Sequence, residues 1–179
     1  MEFKILANFE QDKYDNEILT MLNQGDSEFV PPLSARSSTT QSDLTGTATS
    51  HDGVLNYFKE LKKQKILVAV ENEKLVAFVS YKENYTNDII DTACVPNIYI
   101  STLLVAPYGR GQGLTRKMYE FLFNEYKNAN VFTRTWSTNE AHIKILLGFG
   151  FETIKVLKND RGNGIDTVYF KKCPHQKGV

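Results

Sequence analysis

Cysteine is scarce, with two in 179 residues, Cys94 and Cys173, and no C-x-x-C pair. That excludes a disulfide framework and a cysteine-based structural zinc site, and it fits a reducing compartment. Net charge is absent as well: 21 Lys and Arg stand against 21 Asp and Glu, so no long-range field draws in nucleic acid or an anionic membrane surface. Long apolar runs are also missing. The strongest is Ile66 to Val70, and the opening residues carry Glu2, Lys4 and Glu10, which predicts neither a membrane span nor a signal peptide. The three histidines, His51, His142 and His175, show no metal-ligand spacing, so no metal is expected, and His142 reads as a partly packed surface residue. No G-x-S-x-G elbow is present, and neither cysteine has support as a nucleophile. The expectation is a soluble cytoplasmic protein without nucleic-acid or membrane partners. A homodimer is left open.

What is present is an ordinary globular composition, 41% hydrophobic and 12% aromatic. The length suits one domain that buries roughly two-thirds of its unfolded surface. Residues 1–63 read as a variable preface with a short strand near Phe3 to Ile5, a helix near Asp15 to Leu22 stopped at Gly25, and a second helix near Asp52 to Lys63. Between the helices lies a loop, Ser27 to Ser50, in which Ser and Thr fill 11 of 24 positions. It reads either as a lid anchored by Phe29, Val30, Leu33 and Leu44 or as a plain connector.

From Lys65 the pattern sharpens. Ile66–Val70 and Leu75–Tyr81 form a hairpin around Glu71 to Lys74, whose Glu71 and Glu73 should be solvated. Ile98 to Val105 is a nearly continuous apolar strand of the kind buried on both faces, ended by Pro107. Simple alternation places Tyr99, Ser101 and Leu103 on one face of it. A turn, Tyr108-Gly-Arg-Gly-Gln-Gly113, leads into a helix with Leu114, Met118, Phe121, Leu122 and Tyr126 at helical spacing. Val131 to Trp136 reads as a strand, Ser137 to Glu140 as a capping box for a helix with Ile143, Leu146 and Leu147 inward, and 151–157 with 167–171 as a closing hairpin. The end, 174–179, is expected to fray.

The glycine turn is the feature that points to chemistry. Gly109, Gly111 and Gly113 between a strand and a helix let backbone amides approach an anion where the helix dipole is positive. A tight connection alone would also explain glycines. Arg110, Arg116 and Lys117, however, crowd cations at a helix start where the dipole disfavours them by roughly 0.3–1 kcal/mol each, and a bound polyphosphate would reverse that penalty. The spacing fails the dinucleotide fingerprint, since Leu114 and Arg116 stand where glycine is required, and it fails the Walker loop at Leu114.

Val105-Ala-Pro-Tyr-Gly-Arg-Gly-Gln-Gly-Leu-Thr115 resembles the pyrophosphate loop of the GNAT acetyltransferase superfamily, with Arg110, Gly113 and Thr115 in its patterned places. Asn139 to Phe151 resembles the family's later segment, with Asn139 near the pantetheine arm and a closing Gly150-Phe151. The resemblance spans about Lys65 to Lys171. It implies a single acetyltransferase-like α/β domain over 1–173, of α+β type, with a mixed, mostly antiparallel sheet flanked by helices. Residues 65–171 would form the acetyl-CoA-binding core and 1–63 the acceptor side. It further implies acetyl-CoA as cofactor, bound by the backbone of Leu103, Leu104 and Val105, by Arg110, Gly111, Gln112, Gly113, Leu114 and Thr115, and by Asn139.

The implied reaction is acetyl transfer to a primary amine of a small molecule or peptide by direct attack. Tyr99 falls near where some relatives hold a catalytic carboxylate and is the candidate base, alone or through water with Ser101. Leu146 stands where many relatives have the tyrosine acid, so the alternative is a weak or inactive acyl-CoA-binding sensor of the same fold. For the acceptor, Glu83, Asp88 and Asp91 would favour an amine, whereas Arg36 and Ser37 would favour a carboxylate. The sequence leaves that choice open.

Overall fold

The computed structural model describes residues 1–7, 13–45 and 52–174. Seven strands form one sheet in the order β1-β2-β3-β4-β5-β7-β6. They are β1 Glu2–Leu6, β2 Lys65–Glu71, β3 Lys74–Glu83, β4 Asn97–Val105, β5 Asn130–Trp136, β6 Glu152–Leu157 and β7 Thr167–Lys172. Every pairing is antiparallel except β4 with β5. The helices are α1 Asp15–Gly25, α2 Gly53–Leu61, α3 Leu114–Glu125 and α4 Glu140–Gly148. This is the mixed, mostly antiparallel sheet flanked by helices that the sequence predicts.

Each face of the sheet is covered by a helix pair. On one face Leu67, Ala69, Ile98, Ile100 and Phe170 pack with Leu114, Met118 and Leu122 of α3 and Leu146 of α4. On the other, Ile66, Val68, Phe78 and Leu104 pack with Ile18 and Leu22 of α1 and Tyr57 and Leu61 of α2. The β2–β3 hairpin turns through Asn72 and Glu73, both at positive φ, and Glu71 and Glu73 are exposed as expected. None of the helices among the described residues is long and apolar enough to cross a membrane.

Several local expectations give way to tertiary demands. Gly25 ends α1 at φ −91° rather than in a left-handed cap. Its role is close approach, since a Cβ there would sit 2.8 Å from Leu104 Cδ2. The capping box at Ser137 does not form. Asn139 caps α4 instead, its Oδ1 accepting from the His142 N–H at 3.3 Å, while Ser137 exchanges bonds with Asp166. Leu147, expected inward, is 54% exposed. On β4 the simple alternation fails because Ser80 pairs with Thr102 and Tyr81 with Ile100, which leaves Ser101 as a bulge. Beyond it the faces invert: Leu103 joins the α3 and α4 side, and Leu104 lies with α1 and α2. Tyr99 and Leu103 therefore do not share a face.

The long loop is held in place over the part described. Leu33 and Leu44 are fully buried, and Asp26 accepts from both the N–H and the hydroxyl of Ser34 at 2.7 and 2.8 Å. Residues 46–50, His51, and most of the predicted tail including His175 lie outside the described residues.

Candidate active site

The parallel pairing of β4 with β5 covers only Asn97–Ile100 against Asn130–Thr133. From Ser101 onward the strands separate, and among the described residues the edge of β4 that faces β5 has no strand partner. The wedge so opened is a cleft of about 510 Å³ lined by Ile100 to Val105, Thr133 to Trp136, the glycine turn and the first half of α4. It passes through the sheet. Thr133, Thr135, Asn139 and His142 border it on the α3 and α4 side, with Asn139 Nδ2 donating to Thr135 Oγ1 at 3.0 Å. Phe29, Leu104, Arg134 and Trp136 border it on the α1 and α2 side, where Arg134 Nη1 reaches the Tyr169 hydroxyl at 3.0 Å.

The glycine turn is built to receive an anion. Gly111 and Gly113 sit at φ +77° and +70°, and a Cβ at either would meet nothing within 4 Å, so the backbone is bare toward open space. Helix α3 starts without a side-chain cap and without an acidic residue in its first turn. Lys117 N–H makes the bond to the Gly113 carbonyl at 3.1 Å, and the preceding amides of Leu114, Thr115 and Arg116 have no intrahelical acceptor. Arg110 and Arg116 line the cleft beside them; Lys117 does not. A diphosphate fits this donor set: uncapped amides, a helix N-terminus and the Arg110 guanidinium.

Of the residues singled out in the sequence, the cleft gathers Leu103, Leu104, Val105, Arg110, Gly111, Gly113, Leu114, Thr115 and Asn139. Gln112 faces away from the lining, its Nε2 donating to the Tyr108 carbonyl at 3.3 Å. Tyr99 is also outside the lining. It is 1% exposed in a cluster with Ile90, Phe132 and Tyr169, its ring tilted against that of Tyr85 at 4.7 Å, and burial holds its phenol pKa well above the usual range. Glu83, Asp88 and Asp91 do not line the cleft. Glu83 binds Lys65 and Tyr126, and Asp91 caps a short turn through Ala93 N–H.

Two further groups line the cleft: Glu28, to which the sequence assigns no role, and His142, which is partly buried as expected. Glu28 closes the mouth, its carboxylate accepting two bonds from Arg110 Nη2 at 2.7 and 2.9 Å. His142 lies against the cleft wall with Nε2 2.9 Å from the Tyr119 hydroxyl, and burial pulls its pKa from 6.5 down to about 4. The sequence signal for His142 was its place one turn after the Asn139 cap, on the helix face that borders the cleft.

A family model described as the acetyltransferase (GNAT) family matches residues 36–151. The chain belongs to the GNAT acetyltransferase family. Members use acetyl-CoA, and the sheet, the strand separation and the glycine turn of this GNAT protein are accounted for together. Aminoglycoside 6'-acetyltransferase type Ii superposes with a TM-score of 0.69 at 12% identity, over 99% of this chain and 100% of that one. The ribosomal-protein-alanine N-acetyltransferase from Brucella melitensis gives 0.66 at 15% identity, covering 97% and 99%. The yncA protein of Salmonella typhimurium, solved with its cofactor acetyl-CoA, gives 0.65 at 15% identity, covering 100% and 96%. At such identities the likeness establishes the fold. No curated protein matches this GNAT chain in sequence.

The lowered pKa of His142 makes a stability prediction. Between about pH 6.5 and 4 the unfolded chain takes up a proton at this site that the folded protein refuses, so stability is full above 6.5 and declines as pH falls toward 4. In thermal melts, His142→Gln should lose less stability than wild type across that window. Parallel losses would contradict the partly buried, neutral imidazole.

Proposed function

We propose that this GNAT protein transfers the acetyl group of acetyl-CoA to a primary amine by direct attack within the β4/β5 cleft. The observation that carries the reading is the end of the β4–β5 pairing at Ile100 and Thr133, because it leaves backbone donors of β4 beside the uncapped start of α3. On this reading the amides of Gly111, Gly113, Leu114 and Thr115, with Arg110, hold the diphosphate. The backbone of Leu103, Leu104 and Val105 and the side chain of Asn139 hold the arm that leads from it. When bound, acetyl-CoA supplies an acetyl group activated as a thioester.

What remains for the chain is alignment and proton traffic. The acceptor side of the cleft, with Phe29 and Trp136 packed 5.8 Å apart, positions the amine and excludes water. Tyr99, buried with a raised pKa, keeps its proton and is assigned to the floor that supports this wall rather than to the base. Ser101 is the hydroxyl of β4 assigned to accept a hydrogen bond from the amine or from a water that takes its proton. Ser101 lines the cleft, and its Oγ is bonded to Gln64 Oε1 at 2.6 Å and to Ser80. Leu146 is fully buried and gives no acid. A leaving thiol with an ordinary pKa near 8.5 departs as the thiolate without one, and His142 is the neighbouring cleft group able to offer it a hydrogen bond.

The test is thiol release from acetyl-CoA by the purified protein, with and without a panel of amines, amino acids and peptides. Amine-dependent release, lost in Arg110→Glu, is expected. Tight acetyl-CoA binding with no acceptor acetylated would favour the acyl-CoA sensor, for which the buried Leu146 is the supporting feature.

A further inference from the structure

The acceptor side of the cleft concentrates buried positive charge. Arg36, from the loop before α2, and Arg161, from the β6–β7 connection, are 7% and 6% exposed, and both donate to the carbonyl of Val30, at 3.3 and 2.5 Å. Arg134 on β5 lines the cleft itself, donating to the Tyr169 hydroxyl and to the Gln41 carbonyl at 2.6 Å. Two of these guanidiniums back the aromatic wall: Arg36 lies 5.3 Å from the Phe29 ring and Arg161 5.7 Å from the Trp136 ring.

Among the described residues no carboxylate makes an ion pair with any of the three. Asp160, held by Thr167, is the acidic group whose charge reaches Arg134 and Arg161. Burial, then the charges of Arg36 and Arg134, pulls the Arg161 pKa down to about 9, so the guanidinium remains charged in a field of like sign. Neutral carbonyls such as that of Val30 can be held by amide side chains at a far smaller desolvation cost than by permanent cations. Three arginines facing one acidic residue leave positive charge that no ion pair among the described residues balances. Among the residues that line the cleft the one carboxylate is Glu28, which sits against Arg110 of the glycine turn and makes no ion pair with Arg134.

We propose that the acceptor amine carries an anionic oxyacid group, a carboxylate or a phosphate, which docks on Arg134 beside the Phe29–Trp136 wall in the field of Arg36 and Arg161. This rests on the acetyl-transfer reading above. The reaction forms the amide C–N bond at the acceptor nitrogen and breaks the thioester C–S bond; the amine proton leaves to solvent or to the released thiolate. Arg134 binds the anion, and Arg36 and Arg161 are positioning residues that hold the wall and its potential.

The experiment compares matched acceptors by thiol release: γ-aminobutyrate and α-amino acids against butylamine, phosphoethanolamine against ethanolamine, and spermidine as a cationic control. In wild type an anionic acceptor should exceed its neutral partner in kcat/KM by about tenfold or more, chiefly through KM. The carboxylate and phosphate arms tell the two groups apart. Arg134→Gln should bring the ratio toward one while kcat changes little, and Arg134→Lys should restore part of it. Spermidine or the neutral amines used equally well, or a ratio unchanged in Arg134→Gln, would overturn the proposal. So would failure of every anionic acceptor to bind the protein saturated with coenzyme A, measured by calorimetry. Titration of wild type with acetyl-CoA separates the two levels: if acetyl-CoA binds and only the anion preference is missing, this inference alone falls, and if acetyl-CoA does not bind, the acetyl-transfer reading falls with it.

Discussion

Arg110→Glu is expected to weaken acetyl-CoA binding by on the order of 100-fold, about 2.7 kcal/mol, while the melting temperature stays close to wild type. The argument starts from the anion site at α3. Its amides are uncapped, two glycines leave the turn bare, and Arg110 is a cleft-lining cation beside them. A charge-assisted pair with a phosphate oxygen is lost on substitution, and a carboxylate is introduced next to a second one, Glu28. The fold has little at stake, because Arg110 and Glu28 are about half exposed, 47% and 48%, and an exposed ion pair contributes little. The companion variant Glu28→Gln removes a carboxylate that competes for Arg110 and should tighten binding by about threefold at most. Calorimetric titration of both variants checks the pair. A charge reversal at 110 without effect would remove Arg110 from the diphosphate site.

Gly53→Ala is expected to destabilise the protein by about 3 kcal/mol, lowering the melting temperature by roughly 6 to 12 °C. A Cβ at Gly53 would lie 1.9 Å from the Ser34 carbonyl oxygen, with the carbonyl carbon and Cα of Ser34 at 2.5 and 2.6 Å. All three neighbours are backbone, so no side-chain rotation relieves the clash. Either α2 or the loop must move, and the loop is fixed by Asp26 clasping Ser34 and by Leu33, which is fully buried. The consequence reaches the cleft, because the same loop carries Glu28 and Phe29 to its mouth. The variant should therefore also raise the acceptor KM more than it changes acetyl-CoA affinity. A melting temperature within 2 °C of wild type would show that the loop does not need this close approach.

The parts of the molecule legible in the sequence are those whose causes are local. The glycines at 109, 111 and 113, the apolar run of β4 and the helical spacing from Leu114 each express a constraint within a dozen residues, and the structure puts them where they were expected. Of the acceptor wall the sequence offers only Arg36, as a group that would favour a carboxylate, and its meeting with the other two arginines was not legible, for a physical reason. Arg36, Arg134 and Arg161 lie on three separate segments and meet only because β5 pairs with β7 and the β6–β7 connection folds back onto the Val30 loop. The bulge at Ser101 escaped for a similar reason: it is a property of the β3–β4 register, and no pattern within β4 marks it. Asn139 displaced Ser137 as the cap because Ser137 is committed to Asp166, a partner 29 residues away. His142 reads from the sequence as a partly packed surface residue, and its place on the cleft does not, because that depends on Tyr119, which approaches from α3.

The most direct test of the central claim, that the β4/β5 cleft with its glycine turn holds acetyl-CoA, is amide hydrogen exchange of the wild-type protein with and without saturating acetyl-CoA. The account predicts slowed exchange over Leu103 to Val105 and over Gly111 to Arg116, with the remote β1–β2 pairing unchanged. Binding with slowed exchange elsewhere and none at the glycine turn would contradict it.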